Sequence, residues 1–130
     1  MGVWVKIFYR GTTQYDALEI SQSGFNKERI LARQRHAELD LGKGLYTTKS
    51  LITAKIFAEL HGAFGRAGGP GILEIRISRF RFWHARRLYG IIEDAPISNM
   101  PGHFQTYFPL EAIEYLNKHA KFRSFYDRGW

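Results

Sequence analysis

"GKGLYTTKSLITAKIFAELHG", residues 42–62, frames a tyrosine with glycines and hydroxyls and then runs straight into an apolar helix. Leu45–Thr48 reads as a short strand, and Ser50 is a suitable N-cap for a helix over Leu51–His61. Ile52, Ile56 and Leu60 recur at four-residue spacing and predict the buried stripe of that helix. Tyr46 carries a flat apolar face and a polar tip, which a valine in its place would lack. What that ring is for depends on the partners that the rest of the chain supplies.

With 130 residues the chain reads as a single domain, residues 1–130, large enough for one core. Hydrophobic residues make up 45% and aromatics 15%, so the chain should fold rather than stay disordered. The absence of cysteine excludes a disulfide framework and a thiolate metal site. No apolar run is long enough to span a membrane, and "MGVWVKIFYRG" has neither the apolar core nor the cleavage site of a signal peptide. The formal charge is +7, densest in "RISRFRFWHARR" with Arg76, Arg79, Arg81, Arg86 and Arg87. Such a block can track phosphates and stack bases, or be the solvated face of a strand. Both readings stay open, as does attraction to an acidic partner.

Outward from the opening stretch, Val3–Tyr9 reads as a first strand ending in "RGTT", and Tyr15–Ser21 as a helix stopped near Gly24. The charged run Lys27–Leu39 fits a helix or an ordered loop. "HGAFGRAGGPG" is glycine-rich, without the ending of a phosphate-binding P-loop. Gly71–Ile77 reads as a strand that Phe80–Trp83 continues or restarts, and Leu88–Ile92 as another. "EDAPISNMPGH" reads as a loop and Phe104–Phe108 as a strand. Pro109 opens a helix over Leu110–His119, with Glu111 and Glu114 near its positive end. Phe122–Tyr126 reads as a last strand. Strands and helices do not alternate regularly, so the fold class is α+β.

Five histidines (His36, His61, His84, His103 and His119) lack metal-ligand spacing and read as surface or capping residues. No Gly-x-Ser-x-Gly turn supports serine hydrolysis. Tyr46 is the remaining lead.

"FYRGTTQYDALEISQSGFNK" resembles the opening of ADP-ribosyltransferases of the diphtheria-toxin type, where a strand ends in Tyr-His-Gly-Thr before a short helix. "GLYTTKSLITAKIFAEL" is similar to their second motif, Gly-aromatic-Tyr-Ser-Thr and a helix. A second aromatic follows eleven residues after the first, and here that position is Phe57. Poly(ADP-ribose) polymerases and many bacterial polymorphic toxins share the scheme. The two segments span about a third of the chain, and their order and spacing together carry the resemblance.

The resemblance implies two small, mostly antiparallel sheets with flanking helices, and NAD as the substrate in the cleft between them. Tyr46 and Phe57 would clamp the flat nicotinamide cation by stacking and cation–π attraction. Arg10 stands where the family's strand-ending histidine orients a ribose. Contacts to NAD would come from Arg10, Gly11, Thr12, Leu45, Tyr46, Thr47 and Phe57. Arginine at position 10 and the Thr47–Thr48 pair are also similar to the cholera-toxin branch. The third motif residue is usually a glutamate whose charge stabilises the oxocarbenium ion. Two residues compete for that place. Gln105 begins "QTYFPLEAIEYL" on a strand entering a helix, whereas Glu114 lies inside the helix that Pro109 starts, so geometry favours Gln105. Arg10, Tyr46 and Gln105 are then the expected catalytic set, and Gln105→Glu would restore the family's charge.

The implied function is that of a bacterial toxin or effector that breaks NAD's nicotinamide–ribose bond. ADP-ribose would pass to a protein or nucleic acid, or to water. The resemblance implies no metal, action in the cytoplasm of a target cell reached without a signal peptide, and an acidic immunity or antitoxin protein as partner. A metal-independent ribonuclease toxin using His61 or His103 is the rival reading. A degenerate fold that only binds is another, since Arg10 and Gln105 replace the expected residues.

Overall fold

The structure is a computed structural model, and it describes residues 4–35, 39–62 and 68–125. His36, Val3, Tyr126 and the centre of the glycine-rich loop lie outside them. The fold is α+β, with two antiparallel three-stranded sheets and five α-helices among the described residues. The first sheet has the order β1–β3–β6, from Val5–Thr13, Pro70–Ser78 and Lys121–Phe125. The second has the order β2–β5–β4, from Gly44–Thr47, Phe104–Pro109 and Ile92–Pro96. Helices α1 (Gln14–Ser23), α2 (Lys27–Arg33), α3 (Leu51–Gly62), α4 (Arg79–Tyr89) and α5 (Ile113–His119) surround them.

β1 runs well past Tyr9, correcting the first strand's expected end. β3 offers it a nine-residue partner, from Val5 opposite Ser78 to Thr13 opposite Pro70, so "RGTT" stays extended. Thr13 then caps α1 by accepting from the Asp16 amide at 3.1 Å, and Gly24 closes the helix at φ 78°. Ser50 caps α3 as expected, accepting from the Thr53 amide at 3.2 Å.

Four expectations fail in the middle of the chain. Phe80–Trp83 and Leu88 belong to helix α4, not to strands, because Ser78 caps the Arg81 amide at 3.1 Å and Gly90 ends the helix left-handed. The Arg–Phe alternation in "RFRF" imitates a strand, but the buried residues are Phe82 and Ala85, spaced as on one helix face. The basic block is therefore largely a helix. "EDAPISNMPGH" is not all loop, since β4 covers Ile92–Pro96 as an edge strand bulged between Ile92 and Ala95. The stripe on α3 is also corrected. Ile52 and Leu60 are 71% and 61% exposed, and Ala54 and Ala58 are the buried face.

Small residues make that contact. An added Cβ on Gly11 would stand 2.0 Å from the Ala54 carbonyl oxygen and 2.6 Å from the Ala58 nitrogen. Gly11 lets α3 lie directly on β1, which brings Phe57 to the strand carrying Arg10. The other face of the first sheet holds the main core, where Phe8 meets Phe82 at 5.1 Å and Phe108 at 5.3 Å. That cluster joins β1, α4 and β5. Pro109 leads into a 3-10 turn, Leu110–Ala112, before α5 begins.

Gly11→Ala should destabilise the fold by at least about 1–3 kcal/mol through overpacking against backbone, read as a lowered urea midpoint. A second term is acid-sensitive. Burial pushes the Glu93 carboxyl up, but hydrogen bonds and charge from Lys49 and Lys6 dominate and bring it from 4.5 down to about 2. The folded state therefore holds that proton less tightly than the unfolded one, so the stabilisation is full above pH 4.5 and is lost as pH falls toward 2. Glu93→Gln should cost on the order of 1–2 kcal/mol at neutral pH, after allowance for its half-exposed partners. The difference from wild type should vanish across that acid window in urea titrations.

Candidate functional site

The two sheets meet at one antiparallel bridge, where the Tyr9 amide donates to the Thr48 carbonyl at 2.7 Å and the Thr48 amide donates back at 2.9 Å. Beside it opens a cavity of about 420 Å³, within the usual range for small ligands. Its walls include Arg10 and Gly11 of β1, Tyr46 and Thr47 of β2, Phe57 and His61 of α3, and Gln105 of β5. Leu39, Asp40 and Ile97 complete the mouth. Six residues expected at the site thus converge from four elements.

Two expected contacts stand elsewhere. Leu45 alternates with Tyr46 along β2 and is fully buried in the main core, so it supports the site from behind. Thr12 lines an adjoining cavity of about 540 Å³ with Thr13, Asp16, Arg33 and Gln34, and Arg10 and His61 belong to both spaces. Glu114 lies exposed on α5, 3.7 Å from Lys27, and lines neither. His103 bonds the Thr53 hydroxyl at 2.8 Å and lines a different cavity from His61. Within the basic block, Arg86 pairs with Glu93 at 2.7 Å and Arg87 stacks on Trp83 at 5.0 Å, away from the site.

Arg10 links the two cavities. Its guanidinium lies 3.8 Å from Asp16, and its Nε is buried without a hydrogen-bond partner among the described residues. Burial lowers its pKa and the Asp16 charge opposes the shift, and an arginine remains cationic through such a change. Burial raises the Asp16 carboxyl, yet the Arg33 bond, the Arg10 charge and the Thr12 hydroxyl at 2.7 Å outweigh it and hold it ionised. This second cavity can therefore meet polar, anionic parts of a ligand.

Tyr46 does more than present a ring. Its hydroxyl donates to the Gly42 carbonyl at 2.6 Å and accepts from the Leu41 amide at 3.0 Å, while its ring tilts against Tyr107 at 5.1 Å. Burial raises its pKa, and the Asp40 charge adds to that shift. The tyrosine thereby fixes the loop that carries Asp40. On β5, the Gln105 Nε2 donates to Asp40 Oδ2 at 2.8 Å and more weakly to the Pro96 carbonyl at 3.4 Å. The reversed amide would set two oxygens together, so this orientation is the stable one. Oε1 remains as an acceptor. The expectation for Gln105→Glu also changes, because a carboxylate there would face Asp40 as a like charge.

Asp40 escaped the reading of the sequence. Its one signal is an acidic residue shortly before the glycine-framed tyrosine, next to the end of the charged run Lys27–Leu39. Tyr46→Phe should cost about 1 kcal/mol by removing the hydroxyl's bonds to the loop. Amide exchange at Leu41 should quicken while the core's protection is kept.

Comparison with protein-family models gives no match for this chain, and neither curated proteins nor solved structures give a significant one.

Proposed function

We propose that the protein is an NAD-cleaving enzyme of the ADP-ribosyltransferase type, acting as a toxin or effector and passing ADP-ribose to a macromolecule or to water. The observation that carries this reading is the shared cavity of Arg10, Tyr46, Phe57 and Gln105. These residues lie far apart in sequence, and the motif resemblance had singled each of them out. In this reading Tyr46 and Phe57 flank the nicotinamide ring. Gln105 Oε1 accepts from a ribose hydroxyl. Arg10, with an unpartnered buried Nε, donates toward the diphosphate, for which the adjoining cavity gives room.

The ribonuclease alternative needs two groups for acid–base work at one centre. His61 and His103 line separate cavities, which gives that reading less support. An acidic immunity protein remains the proposed partner on charge grounds, since the chain carries +7.

The test is nicotinamide release from NAD. Wild type should release it, and Tyr46→Ala should lose NAD affinity while staying folded, with Tyr46→Phe less affected. Gln105→Ala should lower turnover roughly 10²–10³-fold with little change in affinity. Glu114→Gln should match wild type. No release from wild type, or loss of activity only in Glu114→Gln, would sink the reading.

A further inference from the structure

Asp40 is the carboxylate among the described residues that line the aromatic cavity, and it stands exposed to solvent there. Asp16, Glu74 and Glu93, the buried or half-buried carboxylates among the described residues, each face an arginine or a lysine, whereas Asp40 stands exposed at the edge of its cavity. In a protein with 19 lysines and arginines against 12 acidic residues, such pairing is expected. Asp40 has no cationic partner among the described residues. Neutral donors hold it instead: the Ser98 hydroxyl at 2.6 Å, the Ser98 amide at 3.1 Å and the Gln105 Nε2 at 2.8 Å.

Those donors have two effects. They fix the carboxylate's direction, and they hold its proton affinity below the ordinary value, chiefly through the two bonds from Ser98 and then the one from Gln105. The charge is thus present and oriented, open to solvent, with no cationic side chain paired to it among the described residues. Three aromatic residues, Tyr9, Tyr46 and Phe57, line the same space. Arg10 and His61 also line it, and Arg10 lies within an ion-pair distance of Asp16. An unpaired anion beside aromatic faces is the chemistry that selects a flat organic cation over a neutral ring of the same shape.

We infer that Asp40 is the charge-bearing wall of a site for a planar heteroaromatic cation, with Gln105 and Ser98 as its positioning residues. Resting on the NAD-cleaving reading, this assigns Asp40 a catalytic place that Gln105 alone does not fill. When the bond between the ribose anomeric carbon and the ring nitrogen breaks, its electron pair goes to the nitrogen and neutral nicotinamide leaves. The positive charge moves to the anomeric carbon and the ring oxygen of the ribose, where the Asp40 carboxylate stabilises it. Water or an acceptor group then adds at that carbon and releases a proton.

The experiment uses the full chain and two probes, the cation 1-methylnicotinamide and neutral nicotinamide, titrated by ligand-observed NMR. Wild type should prefer the cation by about tenfold, the scale of one well-placed charge contact. Asp40→Asn keeps the shape and should remove that preference while leaving neutral nicotinamide binding unchanged. Ser98→Ala, which keeps the carboxylate but loosens it, should reduce the preference only in part. Thermal midpoints matching wild type will show that both variants are folded. Equal binding of the two probes by wild type, or an undiminished preference in Asp40→Asn, overturns the assignment. If the preference follows Asp40 while wild type releases no nicotinamide from NAD, the cation site stands and the NAD-cleaving reading falls.

Discussion

Two backbone hydrogen bonds between Tyr9 and Thr48 join the sheets edge to edge, and the cavity opens beside them. Each sheet satisfies its own interior amides through regular pairing, and Phe8 against Phe108 and the Lys6–Glu93 pair add side-chain contacts between the two. Beside the bridge, Arg10 and Gly11 just after Tyr9 and Tyr46 and Thr47 just before Thr48 face a shared space. The glycine at position 11 carries the same constraint to α3. Without a side chain there, the helix settles on the strand and its aromatic residue reaches the cavity.

The charge pattern follows from crowding rather than from total charge. Most carboxylates are drawn into ion pairs on a strongly basic chain, and the network at Glu93 ties β1, α4 and β4 together. Such partly exposed pairs contribute modestly to stability. Asp40 differs because neutral groups from the Ser98 loop and β5 occupy its lone pairs. These fixed dipoles set the direction of a carboxylate that is otherwise open to water.

Tyr46 shows how one side chain joins these parts. Its backbone belongs to β2, its ring packs against Tyr107, and its hydroxyl binds the loop that carries Asp40. Stability and the geometry of the site are therefore coupled at this residue. On α3, Ile52 and Leu60 stay exposed, because small alanines already fill the helix–strand contact.

Local chemistry in the sequence determined the α+β class, the capped ends of α1 and α3, and the strands around Tyr46 and Gln105. Those features depend on residues close together in the chain: Thr13 with Asp16, Ser50 with Thr53, and apolar runs bounded by glycine or proline. The sequence also singled out Arg10, Tyr46, Phe57 and Gln105, through motif order. Tertiary structure alone decided three further matters. It kept "RGTT" extended, because β3 supplies the partner hydrogen bonds. It turned α3 onto its alanines, because Gly11 leaves room for backbone contact but none for isoleucine. It brought Asp40 to Gln105, 65 residues away, through a side-chain bond that no local pattern announces. Periodicity reports which face of an element is apolar, whereas steric fit and hydrogen-bond demand select the face that is used.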